Sequence, residues 1–298
     1  MKNRKQGIEE LTNINETSKR LQKEGLDREA LDCMQLGLLK CKEIFGPKSE
    51  ELTSACRTVA NELNNTALKN IHESHFNEAA KFLKQASLLF RKNDDFGRQQ
   101  TYQNFALLYQ KKGQPRMTLK YLKQVLSIHS KFLGPFLDVD DIQRAHVQLN
   151  ICATLSQLGK HESALRHANL AIRTLKSQTN GDTIENHQNY DLSVPRLSLE
   201  MDAIGENESG ASFISVEENM NPKLVEMLAL SYYNAGVEYE HLNDIHRSYH
   251  AYQQGIEIAF SLGCHHEVTK VLNSSSQELH KRIVQDTGKE LRQSIVTL

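Results

Sequence analysis

Small side chains recur at fixed spacing along this chain, and that recurrence limits the folds that it can form. In five stretches, a small residue is followed by a turn position and then by a second small residue. The first small residues are Ser18, Ala67, Ala106, Cys152 and Gly236. The turn positions are Gly25, Ser74, Gly113, Gly159 and Asn243. The second small residues are Ala30, Ala79, Thr118, Ala164 and Ser248. Small residues on both sides of a turn let two antiparallel helices approach closely, so each stretch predicts a helix hairpin.

The repetition of these hairpins predicts the fold class. A helix hairpin cannot bury its apolar face alone, so successive hairpins stack on one another. Proline and glycine are scarce, with 5 and 15 residues among 298, whereas a strand-rich chain needs frequent turn residues. We therefore predict an all-α protein, a right-handed α-solenoid of helix hairpins with a C-terminal capping helix.

The aligned residues resemble the signature of the tetratricopeptide repeat (TPR) family. In that signature a small residue, an aromatic or aliphatic residue, a glycine turn and an alanine follow one another at these offsets. The resemblance covers about residues 10–175 and 223–262. Two linkers, Glu43–Pro47 and Lys131–Pro135, follow a long second helix with Gly-Pro. They resemble the linkers in the repeats of kinesin light chains and related adaptors, although an ordinary helix stop uses the same residues.

The fourth and fifth hairpins are separated by an unusually long interval. The predicted organisation is hairpins one to four in 8–177, a flexible insertion in 178–221, the fifth hairpin in 222–262, and a capping helix and tail in 263–298. The insertion is rich in Asn, Ser, Glu and Gly, a composition typical of a disordered loop. Within it, Val194–Met201 is an apolar island that either remains solvated or docks into the protein's own groove.

Charge and motifs argue against several classes of function. The 36 Lys and Arg residues nearly balance 37 Asp and Glu residues, whereas a nucleic-acid protein needs a basic surplus. The sequence holds no phosphate-binding loop, nucleophile elbow or zinc-protease motif, and Cys152 takes the small packing position of its hairpin. We therefore predict no enzymatic activity, no cofactor and no metal site.

The predicted location follows from the apolar pattern. No apolar stretch is long enough to span a membrane, and none follows the basic N-terminus as a secretory signal requires. We therefore expect a cytoplasmic protein without a membrane partner. Association with the cytoskeleton or with a cilium is a further expectation, drawn from the resemblance to kinesin light chains and from the composition.

Asparagine recurs two residues before the first small residue in four of the five hairpins, whereas the first hairpin has Glu16 there. These residues are Asn65, Asn104, Asn150 and Asn234. Helix propensity does not explain them, since the asparagine amide competes with the helical backbone. In TPR proteins that resemble this chain, asparagine at this offset lines the concave groove and bonds the main chain of an extended peptide. The alternative is that these asparagines brace neighbouring helices.

Residues at neighbouring helical positions complete the predicted groove. Gln103 and Tyr233 directly precede two of the asparagines, and Lys111 and His241 lie further along the same helices. The resemblance implies an adaptor or scaffold that binds extended segments of other proteins, in motor–cargo, polarity or ciliary complexes. The alternative is a structural component of a cytoskeletal or axonemal assembly that is held by its convex face and edges. The sequence specifies no oligomeric state.

Overall fold

The computed structural model describes residues 2–91, 94–130, 141–179 and 221–296. These residues form helices and turns with no strand among them, and the predicted all-α class is confirmed. The α-helices are α1 (Lys2–Lys23), α2 (Asp27–Phe45), α3 (Glu50–His72), α4 (Phe76–Leu89), α5 (Asp95–Lys111), α6 (Pro115–His129), α7 (Asp141–Gln157), α8 (His161–Thr179), α9 (Pro222–His241), α10 (Ile245–Ala259) and α11 (Glu267–Val296). A 3-10 helix, Phe260–Leu262, follows α10. Among the described residues, no helix combines the length and the apolarity needed to cross a membrane.

The helices pair as predicted, and the five predicted turn positions all adopt a left-handed backbone. Their φ angles are 77° at Gly25, 64° at Ser74, 65° at Gly113, 68° at Gly159 and 60° at Asn243. A left-handed residue at the end of a helix lets the chain reverse within a few residues. The turns therefore join α1 to α2, α3 to α4, α5 to α6, α7 to α8, and α9 to α10.

The small residues lie where the two helices of a hairpin cross. All of the second small residues are buried, at 3% exposure or less. Ser18 Oγ donates a hydrogen bond to the carbonyl of Ala30 at 3.3 Å, and Ser248 Oγ donates to the carbonyl of Gly236 at 2.8 Å. In each case a hydroxyl on one helix reaches the backbone of the other, which a larger side chain at the crossing would prevent.

The described chain divides into two compact units, which the sequence pattern did not predict. The first unit covers 1–132 and holds the first three hairpins. In it α5 packs against α3 and α4, so the third hairpin continues the stack begun by the second. A core cluster of Ala67, Ile71, Ala79, Leu83, Phe105 and Leu108 fills the space between these hairpins.

Among the described residues, the second unit comprises 141–179 and 221–296 and holds the last two hairpins and α11. Here α9 packs against α7 and α8, and α11 covers α10 as the predicted capping helix. Gln253 on α10 donates to Ser276 Oγ at 2.8 Å, and Arg282 on α11 pairs with Glu240 at 2.8 Å. The capping helix runs from Glu267 to Val296 and so includes most of the predicted tail; the single Gly288 within it costs a helix only about 1 kcal/mol.

Several predicted boundaries fall near or beyond the described residues. Helix α8 continues to Thr179, two residues into the predicted insertion. Residues 180–220 of the insertion, with Val194–Met201, lie outside the described residues, and so does the linker Lys131–Pro135. The linker Glu43–Pro47 stops a helix as predicted, since α2 ends at Phe45 and Gly46 follows with a φ of 92°.

Substitutions at two of the left-handed turn positions should change the free energy of unfolding in opposite directions. Gly159→Ala should lower the free energy of unfolding by about 1–2 kcal/mol, since a Cβ is strained in this conformation. The added methyl would meet no atom within 4 Å, so only the backbone is affected. Ser74→Gly should cost nothing or gain up to about 1 kcal/mol. Urea denaturation of both variants checks this, and equal losses would contradict it.

Candidate functional site

In the first unit, the predicted groove residues lie on the adjacent helices α3 and α5. Asn104 on α5 donates from Nδ2 to the backbone carbonyl of Asn64 at 3.4 Å. The Asn64 side chain is itself buried, and its Nδ2 donates to Thr101 Oγ1 at 3.0 Å. Asn104 therefore braces two consecutive hairpins, the second of the two roles that the sequence left open. The bond uses only one N–H of the Asn104 amide.

Asn65 has a different environment, although its offset in the repeat is the same. Its side chain is exposed, and its amide makes no hydrogen bond with any other described residue. Lys111 is also exposed, and Gln103 is half-buried. In the first unit Asn65 is thus the predicted asparagine whose donor and acceptor are both available to a ligand.

In the second unit, Asn150 lies on α7 and Asn234 on the neighbouring α9. Asn150 is half-buried, and its amide has no hydrogen-bond partner in the described part of the chain. Asn234 donates from Nδ2 to the carbonyl of Leu230 in its own helix at 3.1 Å. Asn150 is therefore the counterpart of Asn65 in this unit.

The other two predicted groove residues of the second unit make ring contacts. Tyr233 is half-buried, with its ring centroid 5.9 Å from that of Tyr252. His241 is exposed and stacks on His161 at a centroid distance of 4.2 Å. Both rings therefore already pack against another ring of the protein.

A buried carboxylate near this site was missed by sequence reasoning. Glu238 on α9 has only 3% of its side chain exposed, and its Oε2 lies 2.8 Å from Nδ1 of His161 on α8. A buried carboxylate is costly unless a hydrogen-bonding partner compensates its desolvation. The pair joins the last two hairpins, but its members lie 77 residues apart, so no local pattern could have indicated it.

A second feature that the sequence did not reveal is a cavity of about 400 Å³ in the first unit. It lies between α4, α5 and α6. Its lining residues are Lys84, Ser87, Phe90, Arg98, Tyr102, Phe105, Lys120, Tyr121 and Gln124. Three of these side chains are cationic and four are aromatic. We call this cavity the α4–α6 pocket.

No metal-binding cluster is present in the described ranges, where no three His, Cys, Asp or Glu side chains lie close enough to share an ion. Cys152 is buried at the small packing position where the sequence placed it. Burial, assisted by the negative charge of Glu238, raises the pKa of its thiol to about 12. Since the thiolate is the nucleophile, this environment makes Cys152 inert.

This burial predicts unequal cysteine reactivity. At pH 8, iodoacetamide should modify the exposed Cys264 in the folded protein and leave Cys152 unmodified. In denaturant both thiols should react. Mass spectrometry of proteolytic fragments measures the two extents separately. Modification of Cys152 at the rate of Cys264 without denaturant would contradict the buried assignment.

Comparison with known proteins identifies the repeat type. The tetratricopeptide repeat family model matches residues 229–261, which span most of α9 and α10. The predicted resemblance to TPR proteins is therefore confirmed, and the fifth hairpin is a tetratricopeptide repeat. A search of curated proteins finds no significant match.

Solved structures with a similar fold include a signal-transduction ATPase with a tetratricopeptide repeat sensor from Pyrococcus horikoshii. The two are 12% identical with a TM-score of 0.52, and the match covers 92% of this chain and 35% of the ATPase. This chain thus spans about a third of that protein's length.

Two further structures match at lower TM-scores. A putative kinesin light chain from Podospora anserina with nearly identical TPR-like repeats is 13% identical, with 85% and 97% of the two chains covered and a TM-score of 0.44. BtubC from P. vanneervenii is 16% identical, with 98% and 92% covered and a TM-score of 0.47. At these identities, the similarity concerns the fold alone.

Proposed function

We propose that this protein is a non-enzymatic adaptor that binds an extended segment of another protein along the first helices of its hairpins. The observation that carries the proposal is the exposed, unpaired side-chain amide of Asn65. Asparagine recurs at this offset in four of the five hairpins. The side-chain amide of Asn65 lies on the surface and has no hydrogen-bond partner among the described residues. The tetratricopeptide repeat at 229–261 supports a role in protein–protein interaction.

The chemistry of asparagine suits this role. Its amide offers a donor and an acceptor at one site, and a peptide unit of an extended chain offers the complementary pair. Such contacts depend little on the side chains of the bound segment. Specificity would then come from the neighbouring positions, including Lys111 and Gln103 in the first unit and Tyr233 and His241 in the second.

Substitution of Asn65 and Asn150 tests the proposed peptide binding more selectively than substitution of Asn104. Asn104 braces two hairpins, so replacing it would weaken folding as well as binding. Asn65 and Asn150 have unpaired amides in the described part of the chain, so their replacement should affect ligand binding selectively. Asn77 on α4 and Asn169 on α8 are matched controls, since each lies on the second helix of a hairpin in the same unit.

The experiment is quantitative affinity purification with three forms of the protein. We expect the Asn65→Ala/Asn150→Ala variant to lose a set of partners that wild type and the Asn77→Ala/Asn169→Ala variant both retain. The loss would follow from missing hydrogen bonds, each contributing about 0.5–1.5 kcal/mol. Recovery of the same partners in equal amounts by all three forms would contradict the proposal.

A second candidate function is that of a structural component, which other proteins contact through the second helices of the hairpins. Large apolar side chains on the second helices favour it, because Leu36 and Leu39 on α2 are 51% and 67% exposed and Leu88 on α4 is 84% exposed. Contiguous exposed apolar patches, unlike single exposed side chains, mark surfaces that contact another protein. Replacing all three by serine should release partners of this class, whereas groove partners should remain. A cytoskeletal or axonemal setting stays a prediction for either function.

A further inference from the structure

The α4–α6 pocket has the chemistry of a binding site that is separate from the proposed groove. Its floor is aromatic, since Phe90 and Phe105 are buried and the Phe105 ring stacks on Tyr121 at 4.6 Å. The second helices α4 and α6 form its two sides, and α5 forms its base. A cavity of about 400 Å³ lies within the range of ligand-binding pockets.

The rim of the pocket is positively charged. No lining side chain is a carboxylate, whereas Lys84, Arg98 and Lys120 all line the cavity. Arg98 is held in place by its hydrogen bond to the Tyr102 hydroxyl at 3.1 Å, and Asp95 lies 3.7 Å from it. Lys84 and Lys120 have no ion-pair partner within the described ranges. These two ammonium groups are therefore available to a negatively charged ligand.

The pocket also contains an unpaired acceptor. The Oε1 atom of Gln124 is shielded from solvent but has no hydrogen-bond partner in the described structure. A buried polar atom without a partner is unusual and unfavourable. Because this atom has almost no exposed surface, the Gln124 side chain would have to rotate before an N–H group of a ligand could reach it.

We propose that the α4–α6 pocket binds an acidic peptide segment of a partner protein. Its Asp or Glu side chains pair with Lys84 and Lys120, and an apolar side chain covers the aromatic floor. An oligonucleotide would also satisfy the lysines, but the chain has a formal net charge of −1 and lacks the basic surplus that nucleic-acid binding needs. Inorganic phosphate has no apolar group that could cover the aromatic floor. The near-zero net charge of the chain and the aromatic floor together favour a peptide.

The test uses a short fluorescein-labelled peptide rich in glutamate with one central phenylalanine, titrated into the full chain. Lys84→Glu/Lys120→Glu should weaken binding by about tenfold or more, because two charge-assisted contacts become repulsive. Lys19→Glu/Lys112→Glu changes the net charge equally at exposed lysines outside the pocket, and should change affinity by less than about twofold. Lys84→Gln/Lys120→Gln should give an intermediate loss and remains informative if the charge reversals disturb folding.

Four outcomes would overturn the proposal. Wild type could fail to bind the peptide, or both charge-reversal variants could lose affinity equally, which would indicate attraction by net charge alone. An oligonucleotide of equal charge could bind the pocket as tightly as the peptide. Finally, deletion of residues 182–218, which hold nine acidic residues and one arginine, could raise peptide affinity. That result would make the chain's own segment the occupant instead of a partner.

Discussion

Replacing Leu83 by alanine is expected to lower the free energy of unfolding by about 2–5 kcal/mol. Leu83 lies on α4 with none of its surface exposed, in the core cluster that joins the second and third hairpins. The substitution removes buried methyl groups and leaves a cavity among Ile71 on α3 and Phe105 and Leu108 on α5. Helices α3, α4 and α5 cannot close this cavity without losing contacts that they make elsewhere.

Leu88→Ala is the matched control for this substitution. Leu88 lies on the same helix but is 84% exposed, so its loss should change stability by less than about 0.5 kcal/mol. Urea denaturation followed by circular dichroism measures both variants. Similar losses for the two leucines would contradict the packing of the second and third hairpins.

The second large effect is expected for Gly236→Ala, at the first small position of the fifth hairpin. A Cβ on Gly236 would lie 2.4 Å from Cε1 of Tyr252, which is far inside normal contact distance. The ring cannot easily move, because Tyr252 is 1% exposed and its hydroxyl donates to Glu240 at 2.6 Å. We expect overpacking to cost about 1–3 kcal/mol, opposing the gain of about 1 kcal/mol that alanine usually brings to a helix.

Gly37→Ala provides the control, since Gly37 is also a buried helical glycine. There the added methyl would lie 3.4 Å from Cγ2 of Ile14, an ordinary contact. We expect Gly37→Ala to raise the free energy of unfolding by up to about 1 kcal/mol. A stabilising effect of the same size at Gly236 would show that close helix approach at that hairpin is not required.

The hairpins could be predicted from sequence because local requirements define them. A residue at the turn must tolerate positive φ, and Ser74 and Asn243 met that requirement along with the glycines. The crossing positions must be small, and Ser248 and Ala164 lie at crossings for that reason. Both requirements recur at the same offsets, so five imperfect copies identified what one copy could not.

The candidate site was less predictable because contacts between hairpins determine it. Asn65 and Asn104 share an offset, yet one is exposed and the other bonds the preceding hairpin. The α4–α6 pocket depends on the space between two second helices, whose residues have no common sequence pattern. The pair of His161 and Glu238 likewise joins residues that are distant in the chain. None of these features has a local sequence signal.

The most direct test of the proposed function is a calorimetric titration of a peptide mapped from a captured partner. We expect Asn65→Ala/Asn150→Ala to bind this peptide about tenfold more weakly than wild type, whichever unit holds the peptide, because that unit loses the main-chain hydrogen bonds of its asparagine amide. The control Asn77→Ala/Asn169→Ala should bind like wild type. Equal affinity for all three proteins would show that the recurrent asparagines do not hold the peptide, and would contradict the account.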